Sequence, residues 1–271
     1  MQFAVLNGAG MRYELRGQTG PVIVLLHEMG GLLENWDEVV PGLADSYRVL
    51  RYDYRGFGLS EKTSGALQIE TLGEDLLALL DSLGFTEPVA LAGCAVGAAI
   101  ALHFAGRYGD RVSGVIAMSP AVDMEPSVRE SRLEMLESVT RGGMRTIMDG
   151  ALAAGYPQVL RDRNPERFRA FEARWLANDP ESFAASYRML IDMDITADIA
   201  AIRCRTLGVC GTLDTFRTPD YVRSILAPIP GVEFVTIETS HHQTAATPEE
   251  ITAILREFME GRTPSWGVGR T

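Results

Sequence analysis

The chain has 271 residues, 46% of them hydrophobic and 23% charged, which is enough apolar material for one large core. A net charge of −11 and a sequence pI near 4.9 exclude the basic face that nucleic acid requires, although a small anionic substrate needs only one or two local arginines. No run is long and apolar enough to span a bilayer, and Met1-Gln2-Phe3-Ala4-Val5-Leu6 lacks the basic and apolar regions of a signal peptide. The three cysteines, Cys94, Cys204 and Cys210, have no metal-ligand spacing and leave one unpaired in any disulfide scheme, so a reducing cytoplasmic setting is expected.

In chain order, Phe3–Leu6 and Met11–Leu15 predict antiparallel edge strands joined at the Asn7-Gly8 turn. Pro21–Leu26 is a continuous apolar run of strand length, and Tyr47–Tyr52 is a second strand. Leu72, Leu76, Leu79, Leu80 and Leu83 recur at helical spacing and stop at Gly84. Pro88–Ala92 reads as a strand and Ala98–Ala105 as a helix, followed by strands at 112–118, 206–210 and 232–237. Ile251, Ile254, Leu255, Phe258 and Met259 form the apolar stripe of a last helix, whereas residues 262–271 carry no periodicity. Strands that alternate with helices imply an α/β fold, a mostly parallel sheet covered on both faces.

Between residues 126 and 200 the strand pattern gives way to amphipathic helices, with Asn164-Pro165 and Asn178-Asp179-Pro180 as helix starts. The expected organisation is a core of residues 1–125 and 201–271 with a helical cap inserted at 126–200.

The most informative segment is Gly93-Cys94-Ala95-Val96-Gly97, between a strand and a helix. That context is the nucleophile elbow, G-x-S-x-G, in which a serine sits on a strained turn. Ala95 stands at the serine position and has no nucleophilic atom. The elbow is a coincidence, or the protein is a natural non-enzyme, or alanine has replaced a serine. Cys94 is read as a small buried hydrophobe rather than a reactive thiol.

A serine nucleophile needs a base and an acid that orients the base, both just beyond the carboxyl ends of strands. Asp214 follows the strand at 206–210, and the His241-His242 pair follows the strand at 232–237. The order of position 95, Asp214 and His241 is the nucleophile–acid–base order of one serine-hydrolase scaffold and not of the others.

Together these motifs resemble the α/β-hydrolase superfamily. Its last motif resembles G-H-x-x-x-x-E-x-P, and Pro248 lies seven positions after His241 and six after His242, so the resemblance assigns His241 as base. Ser240 and Ala246 depart from that motif. His27-Glu28-Met29-Gly30-Gly31 resembles the family's H-G-x-x-G loop, with Glu28 in place of a glycine and its side chain expected to point away from a developing oxyanion. Met29 and Val96 are the implied oxyanion-hole donors. Asp53–Ser60 is similar to the family's D-x-R-G-x-G-x-S scaffold loop, and Trp36 is read as packing. The segments 178–195 and 202–207 look like the end of the cap and the return strand of 3-oxoadipate enol-lactonase-like hydrolases, except that Arg205 replaces a proline.

The resemblance implies an α/β-hydrolase fold and a Ser-His-Asp acyl-enzyme hydrolase of a small lactone or ester, here in an inactive form with alanine at 95. Candidate pocket residues are Glu28 and, in the cap, Tyr156, Arg174, Trp175, Arg188 and Met189. The expected partner is a small carbonyl compound; no cofactor, metal, nucleic acid or membrane is implied, and the oligomeric state is open. A carbon–carbon bond hydrolase, a cofactor-free dioxygenase or lyase using only the His/Asp pair, and a non-catalytic ligand receptor are the alternatives.

Overall fold

The computed structural model describes residues 2–63 and 65–264; residues 265–271, most of the aperiodic tail, lie outside the described residues. Eight strands form one sheet: β1 Gln2–Leu6, β2 Ala9–Arg16, β3 Val22–Leu26, β4 Arg48–Tyr52, β5 Val89–Cys94, β6 Val112–Met118, β7 Arg205–Gly211 and β8 Glu233–Ile237. Their order across the sheet is β1-β2-β4-β3-β5-β6-β7-β8. The β1–β2 and β2–β4 pairs are antiparallel, and all pairs from β4 to β8 are parallel. Asn7 and Gly8 close the β1–β2 hairpin with φ of 49° and 77°, the left-handed pair that matches strand twist. Every residue of β3 and β5 is buried, which is why their sequences read as unbroken apolar runs rather than alternating ones.

Helix α1, Ile69–Ser82, buries its leucine stripe, and Gly84 then takes φ of 70° while Phe85 N–H donates back to the Leu80 carbonyl at 3.0 Å. Helix α2, Val96–Arg107, packs on β5 and β6 and is buried over most of its length. Between β6 and β7 lie six helices: α3 Arg129–Gly142, α4 Arg145–Gly155, α5 Gln158–Arg163, α6 Pro165–Leu176, α7 Pro180–Asp192 and α8 Thr196–Ala201. The Asn164 side chain caps α6 by accepting from Arg167 N–H at 3.0 Å, and Asp179 caps α7 by accepting from Ser182 N–H at 2.8 Å. Among the described residues three further helices follow: α9 Pro219–Leu226, α10 Gln243–Ala246 and α11 Pro248–Met259.

Polar side-chain contacts fasten the helical insertion to the sheet layer. Arg167 of α6 reaches Glu38 and Glu249 at 2.5 Å each, and Asp198 of α8 meets the buried His103 of α2 at 2.7 Å. Among the described residues no helix is long and apolar enough to cross a membrane.

Candidate active site

Ala95 joins β5 to α2 with φ of 50° and ψ of −112°, a region that costs a non-glycine residue about 1–3 kcal/mol. Its surroundings hold it there. Its N–H donates to the Met118 carbonyl at 2.9 Å, and its own carbonyl accepts from Ala98, Ala99 and Ala121 at 3.1 Å. The flanking glycines permit the turn: a Cβ at Gly93 would overlap the Gly97 carbonyl, and one at Gly97 would overlap the carbonyls of Leu26 and His27. These neighbours are backbone and cannot rotate aside. Gly97→Ala is therefore expected to destabilise the fold by about 3 kcal/mol, read as a lowered thermal midpoint. An unchanged melt would show that this close approach is not needed.

Beside the turn, Val96 is the first residue of α2, so its N–H has no acceptor within the helix. Met29, on the loop after β3, lines the same cavity as Val96 and Ala95. His27 fixes that loop. Its Nδ1 donates to the Glu28 carbonyl at 2.8 Å, and its Nε2 accepts from Tyr54 N–H at 3.3 Å. Both ring nitrogens are thus used in one neutral tautomer, and burial pushes the ring below the usual histidine range. Asp53 fixes the neighbouring loop by accepting from the N–H groups of Leu33 at 2.7 Å and Leu59 at 2.8 Å.

Beyond β7, the carboxylate of Asp214 accepts from Phe216 N–H at 2.8 Å, from Arg217 N–H at 2.9 Å, and faces His241 Nδ1 at 3.0 Å. Burial would raise the Asp214 carboxyl, but the His241 ring, Ser119 and the Arg217 N–H together hold it below the usual carboxylate value. The Ser119 hydroxyl is in turn held by Gln243 Nε2 at 2.8 Å, and Gln243 also donates to the Val209 carbonyl at 3.2 Å. His241 lines the cavity with Ala95, and the Asp214 carboxylate stands behind its imidazole.

The cavity has a volume of about 810 Å³. Helices α3, α4, α6 and α7 supply one wall, with Met135, Ile147, Trp175 and Phe183 among its apolar side chains. Arg132 and Arg217 bring positive charge to it, and Asp123 and Glu125 bring negative charge. Arg217 is anchored through the Asp123 carbonyl at 2.9 Å, and the Tyr221 hydroxyl donates to the Asp123 carboxylate.

The structure therefore gathers Ala95, Met29, Val96, Trp175 and His241 around one cavity, with Asp214 directly behind His241. Of the sequence-based pocket candidates, Trp175 lines it, and Glu28, Tyr156, Arg174, Arg188 and Met189 do not. Tyr156 is fully buried and donates its hydroxyl to the Ala245 carbonyl at 3.2 Å, a packing role. Arg188 faces a separate cleft beside residues 65–70, which Met189 also lines. Glu28 is buried behind the wall, where it accepts from Asn35 Nδ2 at 2.8 Å and faces His242. Cys94 is fully buried, its Sγ–H donates to the His241 carbonyl at 3.4 Å, and burial pushes its thiol well up. Sequence reasoning missed the Ser119–Gln243 brace, the arginines and the His242–Glu28 contact; only the doubled histidine hinted at the last.

Fold and site together define a hydrolase scaffold: a mostly parallel sheet, a strained strand-to-helix turn, and an acid and an imidazole on the next strand ends. Residues 21–149 match the family described as the alpha/beta hydrolase fold. The enol-lactonase from Burkholderia xenovorans LB400 superposes with a TM-score of 0.89 at 27% identity, covering 96% of this chain and 100% of that one. A thermophilic esterase from Thermogutta terrifontis, with malate bound, gives a TM-score of 0.89 at 27% identity over 96% of this chain and 99% of its own. A 3-oxoadipate enol-lactonase of Acinetobacter baylyi is 25% identical over 257 residues, 94% of each chain. The chain has the α/β-hydrolase fold and is similar to the 3-oxoadipate enol-lactonases.

Proposed function

We propose that this site is built for acyl transfer from a small lactone or ester, and that Ala95 leaves it able to bind such a compound without forming an acyl-enzyme. The observation that carries the reading is the Asp214–His241 pair, 3.0 Å apart, whose imidazole lines one cavity with the strained position 95. With serine at 95, His241 Nε2 takes the hydroxyl proton as oxygen attacks the acyl carbon. Asp214 holds the Nδ1–H tautomer and stabilises the imidazolium. The N–H groups of Met29 and Val96 receive the oxyanion, and water activated by His241 releases the acid. Each step fails at alanine for want of one oxygen.

Arg132 and Arg217 line the cavity beside Asp123 and Glu125, and a substrate that carries a carboxylate would pair with the arginines. The name of the Acinetobacter lactonase and the malate in the Thermogutta esterase are in keeping with such a compound.

The test is covalent labelling. The Ala95→Ser protein is expected to react with a fluorophosphonate probe and to gain the mass of its adduct at residue 95. The unaltered chain is expected to bind carboxylated lactones or esters in calorimetry without consuming them. A serine form that stays unlabelled and silent on lactones and esters would remove the acyl-transfer reading.

A further inference from the structure

Two imidazoles, each backed by a buried carboxylate, line this cavity, and the acyl-transfer route uses only His241 with Asp214. The other is His242, with Glu28. The His242 ring lines the cavity with Ala95, Met29 and Val96, its centroid 5.5 Å from that of His241 and 4.8 Å from that of Phe171 on α6. Its Nδ1 lies 3.4 Å from Glu28 Oε1. Glu28 is 1% exposed, and both its Oε2 and His242 Nδ1 are buried without a hydrogen-bond partner. At the end of α4, Gly155 lies against the other side of the ring: a Cβ there would sit 2.7 Å from His242 Nε2. Any larger residue there would crowd that nitrogen.

We infer that His242, oriented by Glu28, is a second base that takes a carbon-bound proton next to the substrate carbonyl, so that this chain catalyses enolisation and double-bond isomerisation of an enol lactone or ketone with no nucleophile at position 95. His242 Nδ1–H turns to Glu28, which leaves the Nε2 lone pair for the substrate. Nε2 takes the α-proton, the C–H pair enters the adjacent C–C bond, and the carbonyl π pair moves onto oxygen. The N–H groups of Met29 and Val96 hold that oxyanion, and Glu28 stabilises the imidazolium. The imidazolium then returns the proton at the γ-carbon and the carbonyl re-forms. The net change is an isomerisation, with no co-reactant consumed.

Three groups bear on the charge of His242: Glu28 from the loop after β3, Asp214 from the turn after β7, and the adjoining His241. Burial pushes the His242 ring below its usual value, the Glu28 carboxylate pulls it up, and His241 opposes its charging. The net direction is down, so the base form prevails at neutral pH and the rate falls as acid protonates the ring. Acyl transfer and isomerisation share the oxyanion donors but differ in base and in the need for serine, so either can fail while the other stands.

α-Angelica lactone separates them in one sample, because hydrolysis gives levulinate and isomerisation gives β-angelica lactone, both read by proton NMR. The unaltered Ala95 chain is expected to form β-angelica lactone about a hundredfold above the buffer rate, and His242→Gln and Glu28→Gln are each expected to remove most of that gain. Added imidazole should restore isomerisation to the His242→Ala protein, which a merely structural role would not allow. Isomerisation at the buffer rate in the unaltered chain, or an undiminished rate in His242→Gln, overturns the inference. Levulinate formation in the Ala95→Ser protein reports on acyl transfer alone.

Discussion

Ala95→Ser is expected to raise lactone or ester hydrolysis by on the order of 10⁴- to 10⁶-fold over the unaltered chain, the range lost when a nucleophile is removed from such a site. The size of the gain follows from what is already in place. The backbone at residue 95 is held at φ of 50° by four hydrogen bonds and two glycine contacts, and none of them involves its side chain. One added oxygen therefore needs no rearrangement of the turn and enters a cavity that His241 already lines. Initial rates on a panel of carboxylated lactones and aryl esters measure it. A serine protein no faster than the alanine protein would mean that the elbow geometry is retained for something other than nucleophilic attack.

In that serine protein, His241→Ala and Asp214→Asn are each expected to lower kcat by about 10⁴-fold or more, with the double variant little worse than the His241→Ala protein. Non-additivity is the signature of groups that act as one unit: once the imidazole is gone, its orienting carboxylate has nothing left to hold. The Asp214→Asn loss has a specific cause. An amide that turns its NH₂ toward Nδ1 stabilises the wrong tautomer and leaves Nε2 protonated, facing the hydroxyl it should deprotonate. Losses that multiplied in the double variant would show that Asp214 acts apart from His241, despite the 3.0 Å contact.

Much of this molecule was legible from the residues alone, for reasons that differ by region. The β3 run and the leucine stripe of α1 announce themselves because burial on two faces, or on one face of a helix, imposes a pattern that nothing else requires. The elbow was legible because a strand, a turn with forbidden Cβ positions and a helix leave glycines at fixed spacing. Asp214 and His241 were legible because a parallel sheet sends the ends of its strands to one edge.

The cap was not legible at the level of single residues. An amphipathic helix shows which residues face inward, but not whether they meet a cavity or another side chain. Tyr156 was assigned to the pocket and is packed instead, while Arg188 faces a different cleft. Arg132 and Arg217, which do line the cavity, carry no pattern that separates them from the chain's other arginines. Glu28 and His242 lie 214 positions apart in sequence, and only the folded chain brings them to 3.4 Å.

The strained turn at Ala95 has a consequence for how such a site can change over time. Its conformation belongs to the glycines and the backbone bonds around it, so it outlasts the atom it would present. A lineage can lose or regain the nucleophile without first rebuilding a loop, because the fold does not register the difference. Alanine and serine codons can differ by a single base, which places this scaffold one mutational step from covalent catalysis.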